Sequence, residues 1–84
     1  MEDNDDLFYR AGTGTVNFKF KAHNGEEVRG RITSEALEDD FGARGGSEHL
    51  IAAYRANSSE IHRLAERAIA IRGDAAVKSG DRRG

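Results

Sequence analysis

TVNFKFKAHNGEEVRGRI, residues 15–32, is the stretch on which the fold turns. Val16, Phe18, Phe20 and Ala22 alternate with Asn17, Lys19 and Lys21, the two-residue period of a strand with one buried face. Asn24-Gly25 follows, and this pair accepts the positive φ of a type I′ hairpin turn. Val28, Gly30 and Ile32 then recur at the same period on the way back. The two apolar sets agree in phase, so the reading is an antiparallel hairpin, about 15–22 and 26–32. One of its faces is apolar and the other polar.

Downstream lies RITSEALEDDFG, residues 31–42. Thr33 or Ser34 is placed to cap a helix, and Glu35 suits the positive end of its dipole. Leu37 and Phe41 fall on one side at i and i+4, and Gly42 is a natural stop. A short helix is therefore expected over about 35–41. After the loop ARGGS, EHLIAAYRANSSEIHRLAERAIAI repeats at helical spacing. Leu50, Tyr54, Ile61, Leu64, Ala65 and Ala68 form its apolar stripe. ANSS in the middle is weak helix material, yet the seven-residue steps from Tyr54 to Ile61 to Ala68 keep phase. One long helix over about 48–71 is the preferred reading, with a break at Asn57–Ser59 as its alternative. AAVKS supplies a short third strand, about 75–79, at a sheet edge. The fold class is thus α+β, with both helices on one face of a small sheet made of the antiparallel hairpin and the short third strand.

These elements sit in a chain of 84 residues, a single domain. The expected organisation is an acidic, flexible leader over 1–13, a single α+β domain over 14–80, and a basic tail over 81–84. Lys and Arg number 13 against 15 Asp and Glu, a net charge of −2, which argues against a general polyanion binder. MEDNDD at the start holds four carboxylates and no base. With no cysteine there is neither a disulfide nor a thiolate zinc site. No apolar stretch reaches the ~18–20 residues of a membrane span, and the acidic start is unlike a signal peptide. The expected compartment is the cytoplasm, with no membrane contact. A core this small is only marginally stable, which makes self-association an attractive way to bury more surface.

TVNFKFKAHNGEEVRGRITSEALEDDFG, followed by Leu50, Tyr54, Ile61 and Ala65, resembles a group of small bacterial proteins of about the same length catalogued as a domain of unknown function. The points of likeness are the Val-x-Phe strand, the glycine of the return strand, Ile32, Glu35-Ala36-Leu37, Phe41-Gly42 and the helical stripe. The likeness covers roughly residues 14–79. It implies an α+β fold and a bacterial source, and it brings no catalytic residue or substrate. It also leads one to expect a more apolar last strand closing on an Asp–aromatic pair, where this chain has Asp81-Arg82.

Candidate chemistry is sparse. Glu35, Glu38, Asp39 and Asp40 read as the wet side of the short helix, because adjacent solvated carboxylates rarely converge on a cation. His62 and Glu66 stand at i and i+4 but lack a third ligand, so the expectation is no metal and no cofactor. GARGGS lacks the Gly-Lys-Ser/Thr of a phosphate loop, leaving Arg44 and Ser47 as a candidate anion contact at a helix start. Arg72-Gly73-Asp74 reads as a chance RGD. No serine sits in a nucleophile elbow, and the chain is read as a non-enzyme. Lys19, Lys21, Arg29 and Arg31 share the polar face of the hairpin and form a candidate contact for a polyanion or an acidic partner. That face holds no aromatic in this reading, which favours solvated lysines guarding an exposed sheet over a reader of nucleic acid. The leading expectation is an accessory protein acting through protein–protein contacts, self-association included. The runner-up is a nucleic-acid-associated regulator, and a metal protein or small enzyme comes third.

Overall fold

A computed structural model describes residues 7–82. Seven elements follow in order: β1 (Phe8–Arg10), β2 (Thr15–Lys21), β3 (Glu27–Thr33), α1 (Ser34–Phe41), α2 (Ser47–Ala56), α3 (Ser58–Arg72) and β4 (Ala76–Val77). The sheet order is β1-β2-β3-β4, with β1, β2 and β3 antiparallel and β4 parallel to β3. This is the expected α+β class, with the helices packed on the sheet.

The central hairpin lies in the register its pattern implies. Val16 faces Ile32, Phe18 faces Gly30 and Phe20 faces Val28, while Asn17 faces Arg31 and Lys19 faces Arg29 on the other side. Its turn differs from the expected type I′. Gly25 has φ 88°, but among the described residues no non-glycine has a positive φ, so Asn24 stays out of the left-handed region. The Gly25 N–H donates to Ala22 O and the Ala22 N–H to Glu26 O. That is a three-residue loop with glycine at the left-handed position, the next most common hairpin closure.

Four further details differ from the preferred sequence reading. The leader is not wholly free, since Phe8–Arg10 adds an edge strand to β2, with Tyr9 opposite Val16. The strand is too short for alternation to announce itself; only the β-favouring Phe-Tyr before the Gly-Thr-Gly turn marks it. Residues 1–6 of the leader lie outside the described residues. The long helix is broken at Asn57, whose φ of −124° leaves helical space while its side-chain amide bonds back to Ala53 O. Helical phase nonetheless carries through, because Tyr54, Ile61 and Ala68 are all buried. The last strand is only Ala76–Val77 rather than 75–79, yet Ala75, Ala76 and Val77 are buried and Ala75 O takes the Arg31 N–H. The tail is not free at its start either, as Asp81 and Arg82 make several contacts; residues 83–84 lie outside the described residues.

The core fills the space between the sheet and the helices: Val16, Phe18, Phe20, Ile32, Leu37, Leu50, Tyr54, Ile61, Leu64 and Val77. α1 starts where the sequence places it, with the Thr33 hydroxyl accepting the Ala36 N–H at 3.0 Å, and ends at Gly42 with φ 71°. Gly30 has a different role. A Cβ there would stand 2.8 Å from the Phe18 ring and 3.2 Å from Ala75 O, so the ring lies directly on the backbone of β3.

Leu37 is fully buried, and Leu37→Ala is expected to cost about 2–5 kcal/mol in urea unfolding. Gly30→Ala should cost about 1–3 kcal/mol by overpacking, since either the ring or the β4 backbone must move. A neutral Gly30→Ala would show that Phe18 does not rest on this backbone.

Candidate functional site

The outer sheet face gathers residues from three strands. Because residues directly opposite in a ladder share a face, Arg10 and Phe8 of β1 lie beside Thr15 and Asn17 of β2. The same face continues through Lys19 and Lys21 to Glu27, Arg29 and Arg31 of β3. All of the candidate contacts Lys19, Lys21, Arg29 and Arg31 are thus brought together, and all are exposed. Lys19 and Arg29 stand directly opposite, a like-charged pair that a ladder does not favour. Two carboxylates temper the patch: Glu27 bonds Lys19 at 3.0 Å, and Asp74 bonds Arg31 at 2.9 Å. Asp74 belongs to the RGD tripeptide, which here serves a helix end and an ion pair. The sequence reading missed Phe8 and Arg10. Phe8 is 40 % exposed, and the Arg10 guanidinium lies 5.4 Å from its ring centroid, so the face does carry an aromatic.

Arg44 and Ser47 do not form a comparable site. Gly46, not Ser47, caps α2, and no side chain bonds the first-turn N–H groups. The loop carbonyl of Gly45 is taken by His49 Nδ1 at 3.0 Å, while Arg44 and Ser47 lie exposed.

His62 is a core-boundary residue. Its ring lies parallel to Phe20 at 4.5 Å and near Phe18 at 5.6 Å, and Nε2 is 2.6 Å from the Tyr54 hydroxyl. This hydrogen bond spans the helix break, tying α2 to α3. Burial lowers the His62 pKa from the usual 6.5, with Glu66 pulling weakly the other way. Burial also pushes the Tyr54 phenol up to about 12, which keeps its hydroxyl protonated beside the imidazole. Glu66 turns instead to His23 at the hairpin turn, accepting from its backbone N–H and bonding its Nδ1, both at 2.9 Å. The His23 hydrogen bond holds this carboxyl below its usual 4.5. Among the described residues no group of three or more His, Asp or Glu side chains is placed to hold a metal.

The acidic cluster is only partly the wet face it was expected to be. Glu35 and Glu38 are exposed, but Asp40 is buried at 9 % exposure. Asp40 Oδ2 accepts the Gly80 N–H at 3.0 Å, and Asp39 Oδ2 accepts the Ser79 hydroxyl at 3.1 Å. Arg82 donates to the Asp40 carbonyl and, through Nε, to Glu60 at 2.7 Å. Its guanidinium lies 4.9 Å from the Phe41 centroid, filling the place where the family likeness leads one to expect an aromatic. Asp81 in turn accepts from the Lys78 N–H and from Arg72, each at 2.9 Å. Burial pushes Asp81 up, but those donors outweigh it and hold the carboxyl below 3.8. The partners of Asp39 and Asp40, Ser79 and Gly80, are 40 residues away along the chain, beyond any local pattern.

Together these features define a small α+β domain with helices covering one face of a mixed sheet and a charged face left open. The chain belongs to the family described as Protein of unknown function (DUF1488), whose family model matches residues 4–78. No curated protein and no solved structure matches it.

The His62 environment fixes the sign of one pH dependence. A base whose folded pKa is lowered binds fewer protons folded than unfolded, so its contribution is complete above about 6.5 and is lost as pH falls below it. Urea unfolding is therefore expected to show stability falling from about pH 7 to about pH 5. His62→Gln, which does not titrate, should flatten that limb. Glu66 and Asp81, both lowered, add a further loss in the carboxylate range. A limb that persists in His62→Gln would remove His62 as its source.

Proposed function

We propose that this chain is a non-enzymatic bacterial accessory protein of the cytoplasm that works by protein–protein contact. Its working surface is the open sheet face, and its partner is an acidic protein surface. One observation carries the reading: a protein of net charge −2 sets Arg10, Lys19, Lys21, Arg29 and Arg31 on one exposed face. Glu27 and Asp74 interleave with those cations. A mainly cationic face broken by two carboxylates matches an acidic protein surface that carries an occasional cation better than a uniform row of phosphates, against which the carboxylates would repel.

Phe8 favours a second reading, a nucleic-acid-associated regulator. An exposed ring beside a basic face is the arrangement on which unpaired bases stack.

Affinity capture from the native host separates the two readings. Wild type is expected to retain an acidic protein at ~50 mM salt and release it at several hundred millimolar, with Lys21→Glu/Arg29→Glu failing to retain it. Both sites are exposed, so the variant should melt within about 0.5 kcal/mol of wild type. If the variant captures the same protein, the face is not the contact. Salt-dependent binding of a single-stranded oligonucleotide, lost with Phe8→Ala, would replace the first reading by the second.

A further inference from the structure

The C-terminal end of α1 has a problem that its own residues do not solve. Glu38, Asp39 and Asp40 crowd the negative end of the helix dipole, and no basic residue lies in its last turn. The segment Lys78–Arg82 brings the missing cation. Arg82 meets three complementary groups at once: the Glu60 carboxylate, the Asp40 carbonyl and the face of Phe41. A carboxylate, a helix-end carbonyl and an aromatic face are the groups that recognise a planar guanidinium. Two residues before Arg82, the Gly80 N–H is read by the buried carboxylate of Asp40, and Ser79 is read by Asp39. The ends of α1 and α3 therefore hold the run Ser79-Gly80-Asp81-Arg82 as they would hold a bound peptide.

Two further observations show that the segment occupies this place without being built into the core. Its side chains are exposed or half-exposed, and every contact named above is a polar or cation–π contact. Beneath Gly80 and Asp81 runs a groove of about 210 Å³ whose other wall is Leu64, Ala68 and Ile71 on α3, so the segment leaves the seam unfilled. Ile71 is 66 % exposed there.

We propose that the end of α1 with the first turn of α3 is a binding site for an arginine-bearing peptide segment of a protein partner, and that Ser79–Arg82 occupies it in cis. A partner segment of the form Gly-x-Arg places its amide on Asp40 and its guanidinium between Glu60 and Phe41. An apolar residue beside the arginine enters the groove against Ile71, which the chain's own Asp81 does not do. Tethering gives the internal segment an effective concentration in the millimolar range, so it acts as a competitor. This site is separate from the sheet face and does not depend on the function proposed for that face.

The test uses the full chain, labelled for amide NMR, and the amidated pentapeptide of sequence 78–82 as probe. Arg82→Ala, at an exposed position, empties the guanidinium seat. The peptide is expected to shift the amides of residues 39–42 and 60–61 in that variant, and to bind wild type about tenfold more weakly. Adding Glu60→Gln to Arg82→Ala, or replacing the peptide's arginine by uncharged citrulline, should abolish those shifts. Circular dichroism of each variant establishes that it is folded, and Arg82→Lys provides a second host that keeps the charge but not the planar fork. The proposal is overturned if the Arg82→Ala and Arg82→Lys proteins show no shifts at these amides at about 5 mM peptide. It is equally overturned if wild type binds as well as Arg82→Ala, or if citrulline binds as well as arginine.

Discussion

The Phe18 ring lying on the Gly30 backbone is the contact on which the layers depend. A Cβ at residue 30 would overlap that ring, so Phe18 keeps this place only while residue 30 is glycine. The consequence extends outward in both directions. Sunk against β3, Phe18 stacks on Tyr54 at 4.8 Å and on His62 at 5.6 Å. One aromatic ring thus joins the sheet to α2 and to α3. The same shallow spot lets Ala75 O approach β3 and start the parallel pairing with β4. A bulkier residue there would push away both the ring and the last strand.

Because Phe18 holds both helices, the break at Asn57 does not loosen them. The Tyr54–His62 hydrogen bond spans it, and Phe20 closes the stack on the far side of the imidazole. This is why heptad phase survives a non-helical residue. Packing against a flat sheet fixes each helix separately, so the backbone between them is free to leave helical geometry wherever a side chain offers an alternative bond. Asn57 offers one in its amide to Ala53 O.

What could be read from the letters alone follows from the range of the forces involved. The central hairpin, its register, the Thr33 cap, the Gly42 stop and the apolar stripe all rest on neighbours within a few residues, and each was legible. β1 was not, because a three-residue edge strand is too short to show a period and its pairing is imposed by β2. The turn type escaped because Asn-Gly serves two loop lengths equally well. Asp39 and Asp40 were misread for a different reason. A carboxylate near a helix C-terminus looks like a mild electrostatic fault, and its remedy, Arg82, enters from the other end of the chain. Of the candidate sites, the face of Lys19, Lys21, Arg29 and Arg31 was legible because strand alternation alone sorts side chains to faces. The contribution of Phe8 and Arg10 to it was hidden with β1.

The two charged regions treat electrostatic cost in opposite ways. At α1 two of the unfavourable carboxylates have been answered: Asp40 and Asp39 accept hydrogen bonds, and a guanidinium sits at the dipole's negative end. Those interactions return stability to the fold, so the fold itself accounts for the residues. On the sheet face Lys19 stands opposite Arg29 with another lysine and two more arginines nearby, and alternating sign would stabilise the same ladder better. Solubility does not call for the arrangement either, since a net charge of −2 with mixed signs serves that purpose. Glu27 and Asp74 offset part of that cost by pairing with Lys19 and Arg31. The two regions thus differ in where the answering charge comes from: Arg82 reaches α1 across 42 residues of chain, whereas Glu27 lies in the same ladder as the lysine it meets.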